Sequence, residues 1–307
     1  MRQPLRSLTR WVVAGVLAGV ETGAIACCEP PVEEVGFLDA NGIVTEFAAP
    51  GATQTIPDGI NNAGQIVGSA HIDAPYGTQG FLYTGGTFST IFWGRSTFAT
   101  DINNSGQIVG YGVFGPLVPN GFLKVGDTFS QIGVPGALDT FPAGINDAGQ
   151  IVGTFRDFKD AHEHGFLYAA GAFTTIDVPG SFGTQANGIN NFGQIVGSFS
   201  DSAGTHGFLY AGGTFSTIDV PGSTHTSLVD INNTGQIVGN SDLAALHNFL
   251  YAGGTFSAID VPGELRGIND AGHIVGVLSV PEPSSLVLFS VGLLALGLTW
   301  RRRCEAP

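Results

Sequence analysis

The stretch "DFKDAHEH", residues 157–164, holds the chain's densest group of metal-ligand types. Carboxylate oxygens and imidazole nitrogens at this spacing suit a divalent ion, with Asp157, Asp160, His162 and His164 as the candidate donors. The competing reading is a polar loop between two strands, because His164 recurs as His206 at the same place in a neighbouring copy of the local sequence. Carboxylates also recur as Asp177, Asp219 and Asp260 in the phrase "IDVPG". An active site needs unlike residues in unlike roles, so a repeated aspartate points instead to backbone bonding in the turn before Val-Pro-Gly.

Other residues break the pattern and so could supply unlike groups: Tyr76, Trp93, Arg95, His225, Glu264 and Arg266. Their order along the chain does not assemble them into one site. The chain has no Gly-x-Ser-x-Gly elbow, no phosphate loop and no His-Glu-x-x-His. No catalytic residue and no cofactor is therefore expected.

The elements that must position these residues are written six times. "INNAGQIVG" at Ile60 returns from Ile102, Ile145, Ile189, Ile231 and Ile268, at intervals of 42, 43, 44, 42 and 37 residues. Between the copies runs a second phrase, "GFLYAGGTFSTIDVPGS" from Gly207, with relatives from Gly36, Gly80, Gly121, Gly165 and Asn248. A period of this length predicts a propeller or an array. Each period reads as four short strands. "FLY" and "TFSTID" flank a Gly-Gly-type turn, and "NNAG" or "NDAG" turns a strand ending in "GIN" into "QIVG". Asn61, Asn103, Asn146, Asn190, Asn232 and Asn269 are the expected turn ties, since Asn tolerates tight turn geometry.

Apolar residues at both parities, such as Ile195 beside Val196, require sheets packed on both faces. The fold expected is all-β: a six-repeat β-propeller of about 42 residues and four short strands per blade. The series opens on a "GFL" hairpin and closes on an "IN…IVG" hairpin, so joining the two ends could complete a sixth blade.

Composition sets further bounds. Gly is 47 of 307 residues and charged residues are 12%, while 43% hydrophobic content supports a packed core. Arg2, Arg6, Arg10 and Arg301, Arg302, Arg303 lie in the flanks with only Glu21 and Glu305, leaving 5 basic against 23 acidic groups between them. Such a surface disfavours nucleic acid and anionic membranes. The three cysteines, Cys27, Cys28 and Cys304, fall outside the repeats, so no disulfide framework is available there.

The two ends read as addresses. Residues 1–26 combine a basic start, the apolar run "WVVAGVLAGV" and Ala24-Ile25-Ala26, the pattern of a signal peptide cleaved after Ala26. Cys27 directly after that bond leaves lipidation as a second reading. Residues 27–35 form a short linker and 36–279 the repeat domain. Residues 280–303 then carry Pro281, Glu282 and Pro283, a transmembrane helix at 284–300 and the arginine cluster, before a tail at 304–307. The apolar part, 286–300, spans roughly 22 Å as a helix, short for a hydrocarbon core of about 30 Å.

This C-terminal segment closely resembles the PEP-CTERM sorting signals of Gram-negative bacteria, which have a Pro-Glu-Pro motif, a short hydrophobic helix and an arginine cluster in that order. The resemblance implies recognition by an exosortase-type sorting enzyme, passage through the inner membrane and a cell-surface or extracellular destination linked to exopolysaccharide and biofilm. Roughly residues 36–276 resemble the HAF-type extracellular repeats, although the "HGFLY" at His164 and His206 departs from that family's His-Ala-Phe by a Gly. The function expected is a non-enzymatic binding or scaffold protein of the cell surface, with exopolysaccharide or another surface protein as partner. A carbohydrate-active propeller enzyme (glycosidase or lyase) and a calcium-stabilised adhesin are the alternatives.

Overall fold

The computed structural model describes residues 34–73, 77–114, 119–158 and 162–279. They form an all-β propeller whose only helix, among the described residues, is the 3-10 turn Ala244–Leu246. No helix among them is long and apolar enough to cross a membrane. The expected signal helix and the transmembrane helix at 284–300 lie outside the described residues.

Each repeat contributes four antiparallel strands in one order, as in Gly183–Ile189, Ile195–Ser200, Thr205–Ala211 and Thr214–Thr217. The strand ending in Ile-Asn lies innermost. The "QIVG" and "GFLY" strands follow, and the Thr-rich strand is the exposed outer edge. Four repeats make separate four-stranded sheets, within 96–132, 137–176, 183–217 and 226–258.

The remaining eight strands share one sheet, so the expectation of six separate blades is corrected: four sheets stand alone. The reason is local. The hairpin Glu34–Ala40/Ile43–Phe47 pairs with the last strand, Ile274–Ser279, placing Phe37 opposite Gly276. Glu34 then bridges in parallel to Gln54, which ties this quartet of strands to the quartet within 54–91. The N-terminal and C-terminal hairpins therefore meet in one sheet, as the order of the two phrases predicts.

Packing explains why apolar residues occur at both parities. Ile195 is buried with Phe208 of its own repeat and Val152 of the preceding one, whereas Val196 is buried with Leu228, Ile231 and Phe249 of the following one. Each "Ile-Val" pair thus reaches into two cores, and burying each side chain stabilises by about 1.5–3 kcal/mol. The "QIVG" glycine is forced by the same packing. A Cβ on Gly197 would lie 1.9 Å from the Gln185 carbonyl oxygen and 2.9 Å from the Phe208 ring. Gly197 sits directly opposite Phe208, so the missing side chain is the space the ring occupies.

Candidate functional site: the central channel

The channel is organised by the turn "INN". In each copy the first Asn is buried, and its side-chain oxygen accepts from two backbone N–H groups of its own turn; for Asn190 these are Phe192 and Gln194, at 3.1 Å each. Its Nδ2 also donates to the backbone oxygen of the equivalent Asn in the next repeat. The sequence of donors is Asn61 to Asn103, Asn146, Asn190, Asn232, Asn269 and back to Asn61, at 2.9–3.3 Å. The turn ties read from the sequence are present, and they also close a ring.

The following residue builds a second closed ring. Backbone N–H groups donate to side-chain oxygens in the order Asn62, Asn104, Asp147, Asn191, Asn233, Asp270 and back to Asn62, at 2.7–2.9 Å. Asp147 also accepts from the Asn104 and Asn191 amides, and Asp270 from those of Asn233 and Asn62. Burial pushes both carboxyls up, but these donors outweigh it and hold each below the usual carboxylate range. The space left among the rings is about 60 Å³, room for a few waters rather than an organic ligand.

Beside the rings the channel widens to a cavity of about 300 Å³. Its wall is made by one structural device. In every inner strand the register slips by one residue, between Pro57 and Gly59 in the first copy and at the equivalent place in the other five. A β-bulge re-aims its extra residue, and the six extra residues are Asp58, Thr100, Ala143, Asn187, Val229 and Arg266, all lining the cavity. Thr100 and Asn187 donate onward to the Pro142 and Leu228 carbonyls, at 2.9 and 2.8 Å. Arg266 pairs with Glu264 at 2.9 Å, and its buried Nε has no hydrogen-bond partner.

Two more carboxylates stand between this wall and the rings. Asp101 accepts from the backbone N–H of Ile102 and Ile145, and Asp230 from those of Ile231 and Ile268, at 2.7–2.9 Å. The other four copies have Gly at this position. Space dictates the alternation at two of them: a Cβ on Gly59 would lie 2.6 Å from an Asp101 carboxyl oxygen, and one on Gly188 equally close to Asp230.

These carboxyls resist ionisation. Burial, partly offset by Arg266, pushes Asp58 up to about 7. Burial, eased by the N–H groups of Ile268 and Ile231, pushes Asp230 up to about 7. Burial and then the facing charge of Asp230 raise Asp101 well above the carboxylate range. The folded chain therefore holds protons that the unfolded chain releases. Their contribution to stability is full below pH ~4 and is lost as pH rises through about 7. Asp58→Asn is expected to flatten that decline, by about 2–4 kcal/mol at pH 8 after allowing for water in the channel. Urea midpoints between pH 4 and pH 8 check it, and parallel curves for the two proteins would show that folding leaves the Asp58 pKa unshifted.

The residues singled out in sequence are only partly brought together. Asp157 ends a strand, His162 and His164 lie at the start of the next, and Asp160 is outside the described residues. His164 meets Asp177 at 2.8 Å, and no group of three or more His, Cys, Asp or Glu suited to a metal occurs among the described residues. In the next repeat His206 contacts Asp219 at 2.7 Å and Asp201 at 3.3 Å; the hydrogen bond to Asp219 raises the imidazole pKa, against the effect of burial. The "IDVPG" aspartates are thus mainly histidine partners in these two repeats; only Asp219 also takes a backbone N–H, from Gly207.

Of the pattern-breaking residues, Glu264 and Arg266 reach the channel, and His225 lines a neighbouring groove. Trp93 lines a separate cavity with Phe114, Asn120 and Gln131. Ala26, Tyr76, Pro281, Glu282, Pro283, Arg301, Arg302 and Arg303 lie outside the described residues. Asp58, Asp101 and Asp230 were not singled out by sequence reasoning. The available signal was the variable pair of residues before each "IN": Asp-Gly, Thr-Asp, Ala-Gly, Asn-Gly, Val-Asp and Arg-Gly.

Residues 279–303 match the PEP-CTERM protein-sorting motif. The motif implies an exosortase-type enzyme as partner and a cell-surface or extracellular destination. No curated protein matches the chain. Among solved structures, virginiamycin B lyase from Staphylococcus aureus aligns at 12% identity and TM-score 0.49, over 81% of this chain and 89% of that one. The β-propeller domain of the Trilobed protease from Pyrococcus furiosus aligns at 11% identity and TM-score 0.46, over 71% and 83%. The lectin of Aleuria aurantia aligns at 11% identity and TM-score 0.40, over 73% and 79%. At this distance the likeness says nothing of activity, and the assignment as a propeller rests on the sheets and the closed rings.

Proposed function

We propose that this protein is an exported, non-enzymatic ring, delivered by an exosortase-type system and working as a binding or scaffold component of the cell surface or extracellular matrix. The observation that carries the reading is the sorting motif, which begins at residue 279, the last residue of the final strand. On this reading residues 1–26 are removed, 36–279 are the delivered domain, built of HAF-type repeats, and the eight-stranded sheet counts as two blades of six. The recurring Asn residues support it, since their side chains are taken up by bonds within and between repeats. A repeated hairpin that spends its polar groups this way is a building unit.

Two readouts test the proposal. Replacing Pro281 and Pro283 together by Ala is expected to remove most of the protein from the cell surface and leave it in the inner-membrane fraction. Incubation with exopolysaccharide extracted from the source organism should give co-elution of protein and unshortened sugar on size exclusion. Surface display that survives the double substitution sinks the delivery claim, and separate elution sinks exopolysaccharide as the partner.

One observation favours the second reading, a carbohydrate-active enzyme. Asp58, Asp101 and Asp230 bring carboxyls that keep their protons near neutral pH into one cavity, as an acid donor to a glycosidic oxygen requires. Sugar shortened by the wild type but not by Asp58→Asn or Asp230→Asn would establish it.

A further inference from the structure

We propose that the channel cavity and the groove beside it form one binding site for a linear glycan without acidic groups, its terminal unit in the channel and the following units along the groove. The inference rests on the surface-binding reading above and adds the place and the ligand class. Ser227 and Asn240 line both the channel cavity and a second cavity of about 380 Å³, so the two spaces adjoin at those residues. Both volumes lie within the range of small-ligand sites.

The chemistry of the wall points to hydroxyl-rich ligands. Beyond Ser227 and Asn240 the groove presents Gln185, Ser198, Thr205 and His225. Hydroxyl and amide groups both donate and accept, as sugar hydroxyls do. Phe199 gives the groove one aromatic surface for the C–H face of a sugar, its ring held against His206 at 5.2 Å between centroids.

Charge narrows the class. Asp58, Asp101, Asp230 and Glu264 face the channel and Glu163 the groove, against Arg266 as the one lysine or arginine in either wall. Arg266 is already paired to Glu264. A uronate or sulfated chain would bring more negative charge into a site that already suppresses ionisation of its own carboxyls, whereas a neutral or amino-sugar chain would not. The Asn and Asp rings fill the far end of the channel, so a chain enters by its terminus and cannot thread through.

The test uses the full-length protein in mild detergent and calorimetric titration with sugar hexamers. Neutral hexamers of glucose, galactose, mannose and N-acetylglucosamine, a cationic glucosamine hexamer and an anionic galacturonate hexamer are compared, each with its own disaccharide. At least one neutral or cationic hexamer should bind tenfold or more tighter than its disaccharide, with no binding by galacturonate. Asn240→Leu, at the junction, should weaken the hexamer and its disaccharide alike, with the melting temperature unchanged. Gln185→Leu, farther along the groove, should remove the tenfold gain with the disaccharide affinity and melting temperature unchanged, and serves if the first variant fails to fold.

Failure of every neutral and cationic hexamer, galacturonate binding as tightly as they do, or a hexamer no tighter than its disaccharide overturns the inference. If the extracted exopolysaccharide co-elutes while all hexamers fail, the glycan site falls and the surface-binding reading stands. Hexamer binding without co-elution of the native polymer gives the reverse.

Discussion

Gly197→Ala should leave little folded protein. The new Cβ would stand 1.9 Å from the carbonyl oxygen of Gln185 on the adjacent inner strand and 2.9 Å from the Phe208 ring. Neither neighbour can yield. The oxygen belongs to the main chain of the strand that lines the channel, and Phe208 is fully buried. Overpacking typically costs 1–3 kcal/mol where side chains can adjust, so against main chain at least about 3 kcal/mol is expected. Gly153→Ala should behave alike, since its Cβ would lie 2.1 Å from the Phe141 carbonyl oxygen. Gly193→Ala is the control. Gly193 closes a turn at φ +72° with nothing within 4 Å of the added atom, so it carries only backbone strain, of order 1–3 kcal/mol. Thermal melts followed by circular dichroism decide it. A Gly197→Ala melting temperature within about 3 °C of wild type would mean that the inner and second strands do not approach as closely as described.

Asn190→Asp should be nearly as damaging although it changes one atom. The side-chain oxygen of Asn190 accepts two backbone N–H groups, while Nδ2 donates to Gln194 Oε1 at 2.7 Å and to the Asn232 carbonyl at 3.3 Å. An aspartate places a charged oxygen against those two acceptors, at a position only 3% exposed. Two donor bonds are lost and two repulsions replace them, a cost of about 3–5 kcal/mol at pH 7. Burial raises the pKa of such a carboxyl. The variant should therefore recover part of its stability as pH falls toward 4, where the protonated acid can donate one bond again. Urea midpoints of the variant at pH 4 and pH 7 check this, and a pH-independent loss would mean that Nδ2 does not face the two oxygens.

Most of the repeat is legible in the sequence. Alternating "GFLY…TFST" and "IN…GQIVG" phrases specify hairpins, because turn residues and β-formers leave a short segment few other conformations. The buried Ile-Val pairs specified two-sided packing, and Val196 and Ile195 do reach into different cores. The candidate site was less legible. Asp157, Asp160, His162 and His164 are dense in sequence, while one partner of His164 is Asp177, on the far side of a hairpin. Asp58, Asp101 and Asp230 come from separate repeats, and no local window contains two of them.

The sequence by itself determined that the repeat domain is all-β, that its unit recurs six times, that the Asn residues tie turns, and that an address follows the last strand. These are local properties, set by residue type and by spacing within one period. Tertiary structure alone decided that the end hairpins share an eight-stranded sheet, that each Asn bonds across to the next repeat, and that six bulged residues face one channel. It also decided that Asp101 and Asp230 line the same channel while Gly59 and Gly188 must stay small beside them. The physical reason is ring closure. It brings residue 269 to residue 61 and gives each inner strand neighbours about forty residues away, so the partners of a side chain depend on how sheets stack around an axis. A repeating sequence does not distinguish among the ways its copies can stack.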